Sequence, residues 1–139
     1  MKIDGRLARN AETGKFWAVD IPSLGIHTQG KTKKEAYEMA KNAVETIIDQ
    51  PGFQVDIQPM DDNFFSITAN DAKKLVAAII KRQRSLKGLT AAQVALKMGE
   101  KSVTGYLRYE QGKTLPSIEK LSDILIAIDP FLEPVLKIG

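Results

Sequence analysis

The sequence predicts an α+β protein in two parts: a β-β-β-α-β domain over residues 1–69 and an all-α domain over 70–139. Three observations carry this. Apolar residues come in short, period-two runs up to about residue 69, and at helical spacing after it. Charge divides at the same place: residues 1–70 hold 8 Lys/Arg and 10 Asp/Glu, whereas 71–139 hold 12 and 7. The second part also contains two short capped helical runs set close together. An apolar content of 43% suits an ordinary core, and the absence of cysteine excludes disulfides, Cys-ligated zinc and Cys nucleophiles. No apolar run approaches the roughly 18 residues of a membrane span, and the N-terminus lacks an apolar signal segment. A cytoplasmic protein without a membrane partner is expected.

In the first part, KIDGRLA (2–8) alternates weakly and NAETGK (10–15) supplies turn chemistry. FWAVDI (16–21), rich in aromatic and β-branched residues, reads as a strand broken by Pro22 and Gly25, and IHTQ (26–29) as a third. Thr32 with Glu35 forms a capping-box pattern before a helix at about 33–49, whose apolar positions are Ala36, Met39, Ala40, Ala43, Val44 and Ile47. Pro51 and Gly52 stop it. FQVDI (53–57) alternates as a half-buried strand, and FFSIT (64–68) reads as a possible added one.

In the second part, Leu75, Val76, Ile79 and Ile80 define one face of a helix at about 71–86, closed by Gly88. Thr90 with Gln93 is a second capping-box pattern, opening a short helix with Val94, Ala95 and Met98 inward and Gly99 at its end. Ser102 is expected to cap the next helix, which runs to Gln111. Ser117 caps a last one, with Ile118, Leu121, Leu125 and Ile128 toward the core. The tail residues Phe131, Leu132, Val135, Leu136 and Ile138 are a candidate dimer surface, and are equally read as packing on their own domain.

Two short helices joined by a tight turn, flanked by longer ones, are the arrangement of a helix-turn-helix. Ala95 is small enough for a close crossing, and Gly99 permits a left-handed turn. The run RSLKGLTAAQVALKMG from Arg84 to Gly99, followed by SVTGYLRYEQGKTLPSIEKL, resembles the Xre/Cro/cI repressor-like helix-turn-helix family over about 70–128. That resemblance implies an ion pair between Arg84 and Glu110 clamping the first helix to the third. The turn after Gly99 is one residue longer than the common pattern, and Ala91 stands where a phosphate-binding Gln is frequent. DNA-binding candidates are Lys101, Ser102, Val103, Thr104, Arg108 and Lys113. Thr104 can meet a base edge or thymine methyl, Arg108 can take guanine or a phosphate, and the lysines suit phosphates. Each lysine is equally read as a solvated surface charge, and Val103 and Leu107 as packing against a partner subunit. Gly105 costs about 1 kcal/mol against Ala in a helix interior. It permits close backbone approach, either to DNA or to a neighbouring helix.

The stretch KFWAVDIPSLGIHTQGKTKKEAYEMAKNAVETII resembles the N-terminal domain of HicB-type antitoxins over about 2–60: an aromatic strand, D-I-P, a strand ending T-x-G-x-T, and an E-A-x-x-x-A helix. With the helix-turn-helix, the whole chain resembles a HicB antitoxin. The resemblance implies a partial RNase H-like first domain that covers a HicA-type ribonuclease toxin, and an operator-bound homodimer or higher oligomer repressing its own operon. Phe16, Trp17 and His27 are the toxin-contact candidates, with packing or ordinary surface roles as the alternative. A stand-alone ligand-sensing repressor is the other regulatory reading.

Enzymatic readings are weaker. A metal-dependent nuclease needs a tight carboxylate cluster. Asp4, Asp20, Glu45, Asp49 and Asp56 are candidates, more simply read as solvent-side residues. His27 is the sole histidine and no triad motif accompanies it. No catalytic residue, metal or cofactor is expected.

Overall fold

The computed structural model describes residues 1–10 and 12–135. The chain divides into two compact units, Met1–Ala72 and Lys73–Gly139.

The first unit is one five-stranded sheet and one helix. The strands are β1 (Lys2–Arg9), β2 (Trp17–Ile21), β3 (Ile26–Gly30), β4 (Val55–Pro59) and β5 (Phe64–Ala69), with α1 (Lys33–Ile48) between β3 and β4. The sheet order is β3-β2-β1-β5-β4, and all four pairings are antiparallel. FFSIT thus supplies a full fifth strand, inserted between β1 and β4. Alternation decides the faces. Ile3 and Leu7, Val19 and Ile21, Ile26, Val55, and Phe65 and Ile67 are buried on one side, the side packed by α1. Tyr37 of α1 meets the Phe65 ring edge-on at 5.7 Å between centroids. The other face carries Asp4, Arg6, Asp20, His27 and Asp56.

Helix α1 starts where the Thr32 hydroxyl accepts from the Glu35 amide at 3.0 Å; this is one arm of the expected capping box. Its buried residues are only Ala36, Ala40 and Val44, while Met39 and Ile47 are exposed. The narrow stripe has a physical cause. A Cβ at Gly30 would overlap the backbone of Glu35 and Ala36, so helix and strand touch main chain to main chain. Small residues fill that contact, and the bulkier flanking ones are pushed outward. After β5, the Asn70 side chain accepts from the Gln54 amide at 3.0 Å and donates to the Gly52 carbonyl at 2.8 Å. The Asn70 amide donates to the Gln54 carbonyl at 3.1 Å.

The second unit is helical: α2 (Ala72–Leu86), α3 (Ala91–Lys97), α4 (Thr104–Glu110) and α5 (Ile118–Ile128). One core joins Val76 and Ile80 of α2, Val94 and Ala95 of α3, Tyr106 of α4, and Ile124 and Ile128 of α5. Burying a side chain the size of Ile80 or Ile124 contributes about 1.5–3 kcal/mol. Two expectations change. Ser102 does not cap α4; the N-cap is Val103, in helical conformation and without a side-chain cap bond. Ile118, expected inward, is 69% exposed, because Ile124 and not Ile118 completes the inner face with Leu125 and Ile128. The Ser117 hydroxyl does cap α5, accepting from the Lys120 amide at 3.1 Å. Leu132 packs on the core, while Phe131 and Val135 are exposed. Leu136 and Ile138, the rest of the expected apolar tail, lie outside the described residues.

Candidate nucleic-acid interface

The geometry of α3 and α4 is set by their ends. At the start of α3 the capping box is complete: Thr90 Oγ1 accepts from the Gln93 amide at 3.1 Å, and the Thr90 amide donates to Gln93 Oε1 at 2.8 Å. At its end the Glu100 amide donates to the Ala95 carbonyl and the Gly99 amide to the Leu96 carbonyl, both at 3.0 Å, with Gly99 at φ +79°. This is the paired closure that a left-handed residue permits. The chain then turns through residues 98–103 into α4, and the small, buried Ala95 of α3 shares one core with Tyr106 of α4.

Helix α4 has two faces. Tyr106 points inward and is buried, with Tyr109 partly buried against the same core. Glu110 lies beneath, where Arg84 Nε donates to both its carboxylate oxygens at 3.0 and 2.9 Å, and Arg84 Nη2 donates to Oε1 at 2.8 Å. Arg84 Nη1 donates to the Leu89 carbonyl at 2.8 Å, so the same guanidinium fixes the loop before α3. The two side chains are 16% and 5% exposed, and Glu110 holds Arg84 still more firmly protonated than a free guanidinium. Beside this pair the Tyr106 hydroxyl is buried, and burial, reinforced by the Glu110 carboxylate, raises its pKa well above the usual phenol range. Arg84, Tyr106 and Glu110 are thereby committed to the scaffold.

The outer face is a stripe. Thr104, Leu107, Arg108 and Gln111 are spaced i, i+3, i+4 and i+7, and with Lys113 they line one open concavity of about 440 Å³. Lys113 is held at its end by its amide, which donates to the Arg108 carbonyl at 3.0 Å. Arg108, Lys101 and Lys113 are exposed, and none forms an ion pair among the described residues. Their charge is therefore uncompensated and available to phosphates. Of the other candidates, Ser102 is an exposed turn residue before the helix. Val103 is half-buried and packs against the core, so it stands apart from the outer stripe. Gln111 is not among the residues that the sequence singles out for DNA. Its position seven residues beyond Thr104 was the signal. A Cβ at Gly105 would meet no heavy atom within 4 Å, so no neighbouring helix of the unit requires that glycine.

Residues 80–129 match the HTH_3 helix-turn-helix family model. The match supports a helix-turn-helix in the second unit, of the kind found in DNA-binding transcription regulators. No curated protein matches the chain.

The first unit does not gather its candidate residues. Trp17 shares the covered face with Val19 and Ile21, half-buried, with Lys33 Nζ 4.8 Å and the Arg9 guanidinium 5.9 Å from its ring. His27 lies on the opposite face, 78% exposed, its Nδ1 3.1 Å from Asp20 Oδ1. Asp20 also pairs with Arg6 at 3.6 Å, so three adjacent strands share one charge ladder. Phe16 is half-buried just ahead of β2. The candidate nuclease carboxylates are likewise dispersed. Asp4, Asp20 and Asp56 lie on the outer sheet face. Glu45 sits on α1, accepting from the Val55 amide at 3.2 Å, and Asp49 ends that helix. Among the described residues no cluster of three or more His, Asp or Glu can hold a metal ion. No described helix is long and apolar enough to cross a membrane.

Proposed function

We propose that the chain is an antitoxin that neutralises a HicA-type mRNA-cleaving toxin and represses its own operon by binding operator DNA as a homodimer or higher oligomer. The observation that carries the DNA half is the outer stripe of α4, on which Thr104, Arg108 and Gln111 stand together with unpaired Lys113 alongside. Arginine and glutamine are the side chains that take guanine and adenine edges bidentately, and threonine meets a thymine methyl or a base edge. The flanking cations Lys101 and Lys113 give affinity without sequence information. A single helix-turn-helix covers one half-site, so two copies are needed for a palindromic operator. Exposed Phe131 and Val135 support the tail as part of that contact.

The toxin half rests on the resemblance of the first unit to HicB-type domains and on exposed side chains such as His27 on the sheet face away from α1. Phe16 completes the proposed contact set. The deciding experiment is co-expression with the product of the adjacent short reading frame. A stable complex and rescue of growth are expected; neither complex nor rescue removes the antitoxin reading. For the DNA half, Arg108→Ala and Gln111→Ala are each expected to weaken operator binding by at least about 1 kcal/mol with the fold intact. Unchanged binding takes that residue out of the interface.

A further inference from the structure

The first unit is acidic overall, yet its cations are not evenly spread. Of the eight Lys/Arg in residues 1–72, five fall in two short segments: Arg9 and Lys15 around the β1–β2 connection, and Lys31, Lys33 and Lys34 where β3 passes into α1. The sheet register brings these segments together. Arg9 is paired with Trp17, and Trp17 with Gly30, so the end of β1, the start of β2 and the end of β3 form one row, with α1 beginning three residues on. The Trp17 ring organises the row, flanked by Lys33 at 4.8 Å and by Arg9 at 5.9 Å. Arg9 is further fixed by donating from Nε to the Gly14 carbonyl at 2.9 Å.

Of the three remaining cations, Arg6 pairs with Asp20 and Lys41 with Glu45; Lys2, like the five at this end, forms no ion pair among the described residues. An aromatic ring orients a cation without neutralising it. Glu12 and Glu35 lie in the same two segments, so this end of the sheet carries five cations against two carboxylates, with Arg9 and Lys33 held in place: a net positive edge on an otherwise acidic unit.

We propose that this edge is a second contact for the phosphate backbone of duplex DNA, in addition to α4. The choice of DNA over another polyanion rests on the helix-turn-helix reading of the second unit, which already brings duplex DNA to this chain. Cations occupy the surroundings of the Trp17 ring, which suits phosphates and leaves little room for base stacking. The proposal also removes Trp17 from the toxin-contact set. A ribonuclease that grips RNA presents positive charge, and this edge would repel it.

The test is the salt dependence of binding by the full chain to a duplex of random sequence. Removing one cation that neutralises a phosphate lowers the slope of log K against log salt by about 0.9. The variant Lys31→Ala/Lys33→Ala/Lys34→Ala is expected to reduce that slope by about 2–3 and to weaken binding at low salt on the order of 10–100-fold. Lys31→Ala/Lys34→Ala keeps the Lys33–Trp17 contact and serves if the triple variant fails to fold, with an expected slope reduction of about 2. An unchanged slope in a folded variant overturns the proposal. So does an unchanged slope together with weaker binding to poly-glutamate, which would assign the edge to an acidic protein. Arg108→Ala separates the two readings. If it is silent while the lysine variants lose affinity, the reading of α4 fails and this edge stands; the reverse pattern overturns this proposal alone.

Discussion

Replacing Arg84 by Met tests how the second unit is held together. The guanidinium makes three hydrogen bonds to Glu110 and one to the Leu89 carbonyl, so the change strips every one of them at once. It leaves a carboxylate that is only 5% exposed without its counter-charge. Breaking a buried ion pair from one side costs about 3–5 kcal/mol. A unit of this length holds about 3–10 kcal/mol in total, so Arg84→Met should remove a large share of its stability. Arg84→Met/Glu110→Leu removes both charges and fills the space with apolar atoms. It should recover most of the loss, giving a coupling energy of at least about 2 kcal/mol. Arg84→Lys should recover little, because an ammonium cannot reproduce the planar fork. Urea denaturation followed by helical circular dichroism measures these variants together with the wild type and Glu110→Leu, the second single variant that the coupling energy requires. A loss below about 1 kcal/mol in the single variant, or additive losses in the double, would refute the view that the pair clamps α2 to α4.

Other outcomes follow from single contacts. Gly105→Ala should stabilise the second unit by about 0.5–1 kcal/mol, seen as a higher Tm, since the new methyl meets nothing. Lower DNA affinity in that stabilised variant would show that the glycine serves close approach to the duplex; a destabilised variant would contradict the geometry. Gly30→Ala should destabilise the first unit by about 1–3 kcal/mol in thermal unfolding, because the obstructing atoms are backbone and cannot rotate away. Asp129 has its pKa lowered by Lys87, whose Nζ lies 2.8 Å away, and then by the Phe131 amide. A depressed carboxyl stabilises the fold above its unfolded pKa of about 3.9 and loses that contribution as pH falls through the lower folded value. Asp129→Asn should therefore lower Tm at neutral pH and flatten its decline in acid; an unaltered acid profile would dismiss the pair.

Much of the second unit was legible because its signals are local. Thr90 with Gln93, Ser117, and the glycines after α2, α3 and α4 act within one turn, and each fixes an element without help from elsewhere. Ser102 misled for the same reason. A serine ahead of an apolar run is a good local cap, but the six-residue turn from α3 delivers the chain already helical at Val103. In the first unit the strands could be seen but not their neighbours. Alternation in Phe64–Ala69 announces a strand, while its place between β1 and β4 is settled by long-range pairing. The exposure of Met39 and Ile47 also needed the structure, since it depends on how closely Gly30 lets α1 approach. The interface was half-visible. Thr104 and Arg108 follow from helical spacing, whereas Gln111 joins them only once α4 is known to begin at Thr104. The Trp17 row needs the register of three strands and cannot be seen along the chain.

The passage between the units has a consequence for proteolysis. Only Asn70 and Asp71 separate β5 from α2, and Asn70 is bound on three sides to the 52–54 segment. Proteases cut segments that can detach from the fold and enter the enzyme's cleft as extended chain. No such tether is offered here. Separating the halves of this molecule requires unravelling the first turns of α2 or peeling away β5, so a protease should digest one unit rather than release both intact.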